Sequence, residues 1–321
     1  MAALYEVSSP ELVELRELKP GDLDALLDEE GLVWRTQLSW DFEASAELVR
    51  RFVKIQALSG YALFVAGRPI GYSYYVVEDH KALIGDLYLL REFSCSEYED
   101  LLLKAVLDAL ARVSFLERVE AQLLMLRSAF DRPLPYSQYA KVQMRHFMLA
   151  DIDDTRDLPQ GNASAKYRFP LWTEKRQEEA AQLIAKAYAG HVDATINDQY
   201  RSFAGARRFL QNIVQYPGCG TFFDNASMLA ETADHRLAGM SLASLVAPDV
   251  GHITQICVAP DVKHTGLGYE LMRRSLQVFR EHDCEKASLT VTGANTEAVR
   301  LYQRMGFRSI RRFGAFVWEG L

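Results

Sequence analysis

Residues 259–269 read Ala-Pro-Asp-Val-Lys-His-Thr-Gly-Leu-Gly-Tyr, followed by apolar positions at helical spacing (Leu271, Met272, Leu276, Phe279). A turn of this composition between a strand and a helix can hold an anion. The first N–H groups of a helix lack intrahelical partners and sit at the positive end of its dipole. Gly266 and Gly268 let the backbone approach phosphate oxygens that a Cβ would obstruct. Lys263 can add a point charge, and pyrophosphate is the expected guest. The spacing is not a dinucleotide fingerprint, since Leu271 stands where the third glycine belongs, and it is not a P-loop, since no Gly-Lys-Ser/Thr follows. Alone, the two glycines also fit an ordinary tight turn.

Other reactive groups are easier to set aside. Cys257 lies in the apolar strand before the turn with no motif-placed His and Asp partners, so a buried thiol is expected over a nucleophile. No Gly-x-Ser-x-Gly elbow occurs. Cys95, Cys219, Cys257 and Cys284 form no Cys-x-x-Cys, and the seven histidines show no close pairing, so no metal is expected and the thiols suit a reducing cytosol.

Two further elements must position the turn. Downstream, a strand ends near Val291, Asn295 can cap a helix with Glu297 in its first turn, and Gly306 can close it. Ala298, Leu301 and Met305 recur at helical spacing, with Tyr302 on an adjoining stripe. Upstream, the strand–turn–strand pattern of residues 228–243 and the strand at 252–258 repeat in the first half as residues 61–76 and 85–90. Gly71 and Gly239 are 168 apart, as are Leu90 and Val258. The polar run 151–166 reads as a linker between a domain at 1–150 and one at 167–321. Alternating strands and helices favour an α/β or α+β sheet covered by helices. In the first half the equivalent turn, residues 90–98, has no glycine and carries Glu92 and Glu97, with Glu99 just beyond, which oppose phosphate. That copy is read as degenerate. Tyr136 or Tyr139 echoes Tyr302 without a chemical role.

The chain has 321 residues, 49% hydrophobic and 25% charged, with a formal net charge of −7. This is the balance of a globular protein with room for two domains. The acidic total disfavours broad nucleic-acid binding. No apolar run reaches the roughly 18 residues of a membrane span, and residues 1–6 lack the features of an export signal, so a cytoplasmic protein is expected.

The order strand, Lys263-x-x-Gly266-x-Gly268, helix, strand, Asn295-x-x-Ala298-x-x-x-Tyr302-x-x-x-Gly306-Phe307 resembles the GNAT superfamily of acyl-CoA N-acyltransferases. The resemblance is specific over residues 226–310 and looser in the first half. It implies two tandem GNAT-like domains, each a mixed, mostly antiparallel sheet flanked by helices, and acetyl-CoA as cosubstrate. It implies cofactor contacts from Ile256, Cys257 and Val258, from Lys263, His264, Thr265, Gly266, Leu267, Gly268 and Tyr269, and from Asn295 and Tyr302. Lys263 departs from the usual Gln or Arg. Tyr302 becomes the general acid for the departing thiolate. His252 falls where the family often has a basic Glu, although an ordinary strand-end histidine fits equally. The Val258 N–H becomes the donor to the thioester carbonyl. The acceptor region falls at residues 188–216, with Tyr188, His191, Asp193, Asn197, Asp198, Tyr200 and Arg201. The reaction implied is direct acetylation of a primary amine, on a small molecule or peptide, by a monomer. A noncatalytic acyl-CoA-binding module is the alternative. A nucleotide-binding protein would leave the 295–307 element unexplained.

Overall fold

The computed structural model describes residues 9–127, 130–216 and 218–321. The elements of the first half are β1 (Glu11–Glu14), α1 (Asp24–Leu38), α2 (Glu43–Lys54), β2 (Ser59–Val65), β3 (Arg68–Glu78), β4 (Lys81–Leu89), α3 (Ser96–Leu110), β5 (Arg118–Leu123) and β6 (Ala140–Asp151). Then follow α4 (Gln177–Ala187), α5 (Asp193–Ile196), α6 (Phe203–Gln215), β7 (Thr221–Phe222), β8 (Met228–Glu231), β9 (Leu237–Ala247), β10 (Val250–Val258), α7 (Leu267–Glu281), β11 (Lys286–Thr292), α8 (Thr296–Arg304) and β12 (Arg308–Glu319).

The chain divides into two compact units: residues up to 35 with 42–143 and 313–321, and residues 36–41 with 144–312. In the first, strands run β1-β2-β3-β4-β5, and residues 314–319 of β12 pair with β5. In the second the order is β6-β11-β10-β9-β7, with β8 also on β9. Among the described residues β4–β5 and β10–β11 pair in parallel and the pairs β1–β2, β2–β3, β3–β4, β5–β12, β6–β11, β7–β9, β8–β9 and β9–β10 run antiparallel, so each unit carries the mixed, mostly antiparallel sheet flanked by helices that the sequence suggests. The helices bury one stripe each. In α7 it is Leu267, Leu271, Met272, Leu276 and Phe279, the i, i+4 pattern of a half-buried helix.

The repeat is visible in the registers, with one correction to its spacing. Gly71 pairs with Leu89 and Gly239 with Val258, so Val258 answers to Leu89, 169 residues earlier (258 − 89), and not to Leu90. The extra residue is Val246, a bulge between the pairs Ala247↔Val250 and Leu245↔Gly251. A bulge adds a residue to one strand without altering the pairing beyond it.

The unit boundaries do not follow the run 151–166. Residues 145–151 of β6 pair with β11, while the last strand of the chain supplies 314–319 to β5. Ile152, Thr155 and Ala163 are buried, the Gly161 N–H donates to the Glu270 carboxylate at 3.0 Å, and the Tyr269 hydroxyl donates to the Pro159 carbonyl at 2.7 Å. The polar composition marks this stretch as irregular, but long-range side chains hold its backbone in place.

Candidate active site

β10 and β11 pair only between Val250–Ile253 and Lys286–Leu289. β10 runs on to Val258 and β11 to Thr292 without joining, while on its other side β10 stays paired with β9 as far as Val258↔Gly239. A bulge between Ile253 and Gln255 bends β10 where the two strands part. Backbone groups of Gln255, Ile256, Cys257 and Val258 on the β11 side therefore lie outside that ladder.

The turn that follows is shaped by two left-handed residues. The Ala259 N–H donates to the Ala238 carbonyl at 2.7 Å, a 3-10 turn spans Pro260–Val262, and His264 and Gly266 have φ of 62° and 82°. Gly266 caps α7. The first helical bond there is Glu270 N–H to the Gly266 carbonyl, 3.1 Å, so the N–H groups of 267–269 precede the ladder at the positive helix end, an arrangement able to hold an anion. Lys263, His264, Thr265 and Gly266 are exposed. A Cβ on Gly266 would meet nothing within 4 Å, so glycine serves the backbone angle there and not a close approach by protein. Leu267 is core, Gly268 is half-buried, and the Tyr269 hydroxyl is committed to Pro159. Leu267 and Tyr269 can thus face an anion through their backbones only. The Thr265 hydroxyl donates to the Val262 carbonyl at 2.7 Å.

Residues of the 188–201 segment converge on the ends of β11 and α8. The Asn295 side chain accepts from the Ala298 N–H at 3.3 Å, capping α8, and its Nδ2 lies 3.3 Å from His191 Nε2. Asp193 accepts from the Thr292 hydroxyl through Oδ1, and its Oδ2 is 3.7 Å from His191 Nδ1. The Tyr188 ring stacks on Tyr200 at 4.4 Å and stands perpendicular to His191 at 5.3 Å. Gln255, at the bulge, donates to the Tyr188 hydroxyl at 2.9 Å and accepts from that of Tyr200 at 3.3 Å. Burial and the negative charge of Asp193 raise the Tyr302 phenol above its ordinary value, so it holds its proton at neutral pH. Its ring packs on Phe307 at 6.2 Å. Asn197 instead caps a local turn on the Gln199 N–H, and Arg201 binds the Ala194 carbonyl. Gln255 and Thr292 were not singled out from the sequence; the available signal was a polar side chain within an apolar strand.

His252 does not join this group. It is 5% exposed, its Nδ1 lies 2.9 Å from the Ser288 hydroxyl, and its ring packs between Trp40 and Phe147. Burial, then Arg145, pushes its pKa down to about 3. The position suits a neutral packing histidine, because a base must reach the proton it removes. Burial also pushes the Cys257 thiol up to about 12, which leaves it unreactive. Among the described residues no group of three His, Cys, Asp or Glu is placed to hold a metal ion, and no helix is long and apolar enough to cross a membrane.

The first unit builds the equivalent turn differently. The Leu90 N–H donates to the Ile70 carbonyl as Ala259 does to Ala238, and a 3-10 turn follows at Arg91–Phe93. Two residues, Ser94 and Cys95, then lead into α3, where four, residues 263–266, lead into α7. Cys95 caps with an extended φ of −141°, so neither left-handed residue has a counterpart. The Glu29 carboxylate already accepts from the Arg91 N–H at 2.8 Å.

Residues 173–307 match the family model described as Acetyltransferase (GNAT) family. A stretch of 103 residues is 36% identical to a mycothiol acetyltransferase of Acidimicrobium ferrooxidans, covering 31% of this chain and 33% of that protein. The match thus spans about a third of the curated relative. A GCN5-related N-acetyltransferase from Sphaerobacter thermophilus superposes with a TM-score of 0.68 at 15% identity, over 97% of this chain and 95% of that one. A tandem GNAT protein from the clavulanic acid biosynthesis pathway gives 0.60 at 16% identity, over 97% and 98%. At these identities the structural likeness concerns the fold.

Proposed function

We propose that the GNAT acetyltransferase domain at residues 173–307 moves an acetyl group from acetyl-CoA directly to a primary amine, with one working site per chain. The observation that carries the reading is the parting of β10 from β11 beyond Ile253, just ahead of the exposed start of α7. Acetyl-CoA supplies the acyl group as a thioester. The N–H groups of 267–269, with Lys263, His264 and Thr265 at the rim, hold its pyrophosphate. The open edge of Ile256, Cys257 and Val258 pairs with the amides of its pantetheine arm as a strand would. The Val258 N–H donates to the thioester carbonyl oxygen as charge builds there, and Tyr302 protonates the departing sulfur. Asn295 caps α8 and so fixes Tyr302 two turns along. The name of the mycothiol acetyltransferase relative supports a small-molecule acceptor, and the absence of a membrane-crossing helix among the described residues fits action in the cytoplasm. Calorimetric titration with acetyl-CoA is expected to give one site per chain. CoA release is then measured with glucosamine, spermidine, lysine, kanamycin and a peptide with a free N-terminus. No binding sinks the cosubstrate assignment, two sites sink the reading of the first unit, and binding without release for any amine sinks the reaction.

A further inference from the structure

The carboxylates buried in the second unit, among its described residues, are Glu231 and Glu270, and arginine meets each: Arg176 on Glu231, Arg273 and Arg274 on Glu270. Removing a charge from water requires such a partner. Asp193 departs from that pattern. Its side chain is 17% exposed, yet among the described residues no Lys or Arg pairs with it. Its Oδ1 accepts from the Thr292 hydroxyl. Its Oδ2 has no donor. The His191 ring nitrogen Nδ1, 3.7 Å away, itself accepts from the Asp193 backbone N–H at 3.2 Å, so it turns a lone pair and not a proton toward Asp193. One carboxylate oxygen is fixed by the fold, and the other is left for a donor from outside.

We propose that Asp193 is the specificity-determining residue of the acceptor site and holds an ammonium group of the acceptor on Oδ2, an inference that rests on the acetyl-transfer reading above. The contact is one of binding, in which no bond or proton changes hands. Its place suits that task. Thr292 is the last residue of β11, and the pairing of β11 with β10 ends at Leu289, so the carboxylate is pinned to the end of a strand that has parted. Behind burial, the charge of Asp193 is among the causes that raise the phenols of Tyr188, Tyr200 and Tyr302, which places it within electrostatic reach of the group assigned to protonate sulfur.

The surroundings favour a cation over other ligands. Tyr188 stacks on Tyr200 at 4.4 Å, Phe209 stands edge-on to Tyr200 at 4.9 Å, and Tyr188 stands edge-on to His191. Aromatic faces attract cations, and a wall of low polarity strengthens an ion pair that water would weaken. A neutral or anionic acceptor would cover Oδ2 without satisfying it, whereas an ammonium gives it a charge-assisted hydrogen bond, and discrimination is the difference between the two. The ammonium can be the reacting nitrogen before it loses its proton, or a second amino group beside it. The chemistry is the same, and acceptors with one or several amines separate the sources.

The test uses the full chain and two acceptors from the panel above: whichever of glucosamine and the peptide, and whichever of spermidine, lysine and kanamycin, the wild type acetylates faster. KM and kcat are measured for the wild type, Asp193→Asn and Asp193→Glu at about 0.05 and 0.5 M NaCl, with acetyl-CoA affinity by calorimetry. Asn keeps an oxygen for the Thr292 hydroxyl and removes the charge. Asp193→Asn is therefore expected to raise the acceptor KM roughly 10–100-fold while kcat stays within threefold and acetyl-CoA affinity within twofold. Salt should raise the wild-type KM several-fold and leave that of Asp193→Asn flat, because the ion pair is what salt screens. Asp193→Glu, which keeps the charge, should recover part of the loss. A rise in KM for both acceptors assigns the ammonium to the reacting nitrogen, and a rise for the several-amine acceptor alone assigns it to the second amino group. An unchanged KM in Asp193→Asn, with or without a fall in kcat, overturns the inference and leaves acetyl transfer standing. If Asp193→Asn does not fold, the wild-type salt dependence decides, and a KM indifferent to salt overturns it. A wild type that acetylates none of the amines defeats both.

Discussion

Replacing Tyr302 with Phe separates chemistry from packing. The residue is 8% exposed, and its ring is part of the core beside Phe307, Met305 and Leu289. Burial and the charge of Asp193, and not a hydrogen bond, act on its hydroxyl. Phe keeps the ring and removes only the oxygen, so the folded state should change by less than about 1 kcal/mol, whereas truncation to Ala would cost about 3–5 kcal/mol as a cavity. Turnover should behave in the opposite way. Loss of a general acid typically lowers kcat ~10²–10⁴-fold, equivalent to roughly 2.7–5.4 kcal/mol of barrier at 1.36 kcal/mol per decade. Because the phenol is held above its ordinary value, the wild-type rate should show no alkaline limb from Tyr302 below about pH 10. The assays are kcat by CoA release, acetyl-CoA affinity by calorimetry, and urea unfolding. A variant that retains kcat within threefold refutes the acid role. One that loses turnover, affinity and stability together shows that the hydroxyl supports the fold, and does not isolate a proton-transfer role.

Further perturbations address the rest of the site. The lowered pKa of His252 means that the unfolded chain binds the extra proton. Its contribution is therefore present above about pH 6.5 and lost on acidification toward about 3, at up to about 1.4 kcal/mol per pH unit. His252→Gln should flatten that slope in urea unfolding between pH 6 and 4 with kcat preserved, and a large kcat loss in a folded variant would return His252 to the chemistry. At Gly266, with φ 82° and open space around it, Ala should cost about 1–2 kcal/mol through the left-handed conformation and weaken acetyl-CoA roughly tenfold. Asn, which tolerates that conformation, should recover the stability, and undiminished affinity in Gly266→Ala would argue against the anion turn. A fragment of residues 167–321 lacks the β6 partner of β11 and keeps 314–319 without their β5 partner. It should show no cooperative unfolding, and a sharp thermal transition would contradict the strand assignment.

What the sequence revealed depended on whether a feature was local. Asn295 as a cap, the α7 stripe and the turn at Gly266 all follow from neighbours a few residues away, and all appear in the structure. The strand around Gly239 was legible in type but shorter than found, because the alternation weakens where both faces are buried. What escaped was long-range. Nothing local says that 145–151 pairs with 286–292 while 314–319 pairs with 118–123. His252 looked like a base from its place in the chain, but Trp40 and Phe147, from distant segments, bury it. His191 and Asp193 were noted as acceptor-side residues, yet their tie to Asn295 and Thr292 spans about a hundred positions and no periodicity reports it.

The two units show how one backbone plan can carry different interiors. In both, the parallel pair stops after four positions, Lys81–Ile84 with Arg118–Ala121 and Val250–Ile253 with Lys286–Leu289, and a bulge follows at once. The residue just past the bulge is Gln255 in the second unit, paired with Leu242, and Asp86 in the first, paired with Tyr74. Gln255 is neutral and engages the Tyr188 and Tyr200 hydroxyls beside the parted strands. Asp86 meets Glu30 of α1, which is fully buried and also takes the Tyr72 hydroxyl at 2.7 Å and the Trp34 ring N–H at 3.1 Å. Burial, and then Asp86, raise Glu30 well above the usual carboxylate range. The pair is therefore satisfied by sharing a proton, since two adjacent buried carboxylates cannot both ionise. The first unit also has the shorter turn into its helix, with the Glu29 carboxylate on the Arg91 N–H, an arrangement less suited to an anion. Each unit's sheet includes a strand encoded next to the other, 145–151 in the second and 314–319 in the first, so neither sheet is complete without its distant segment.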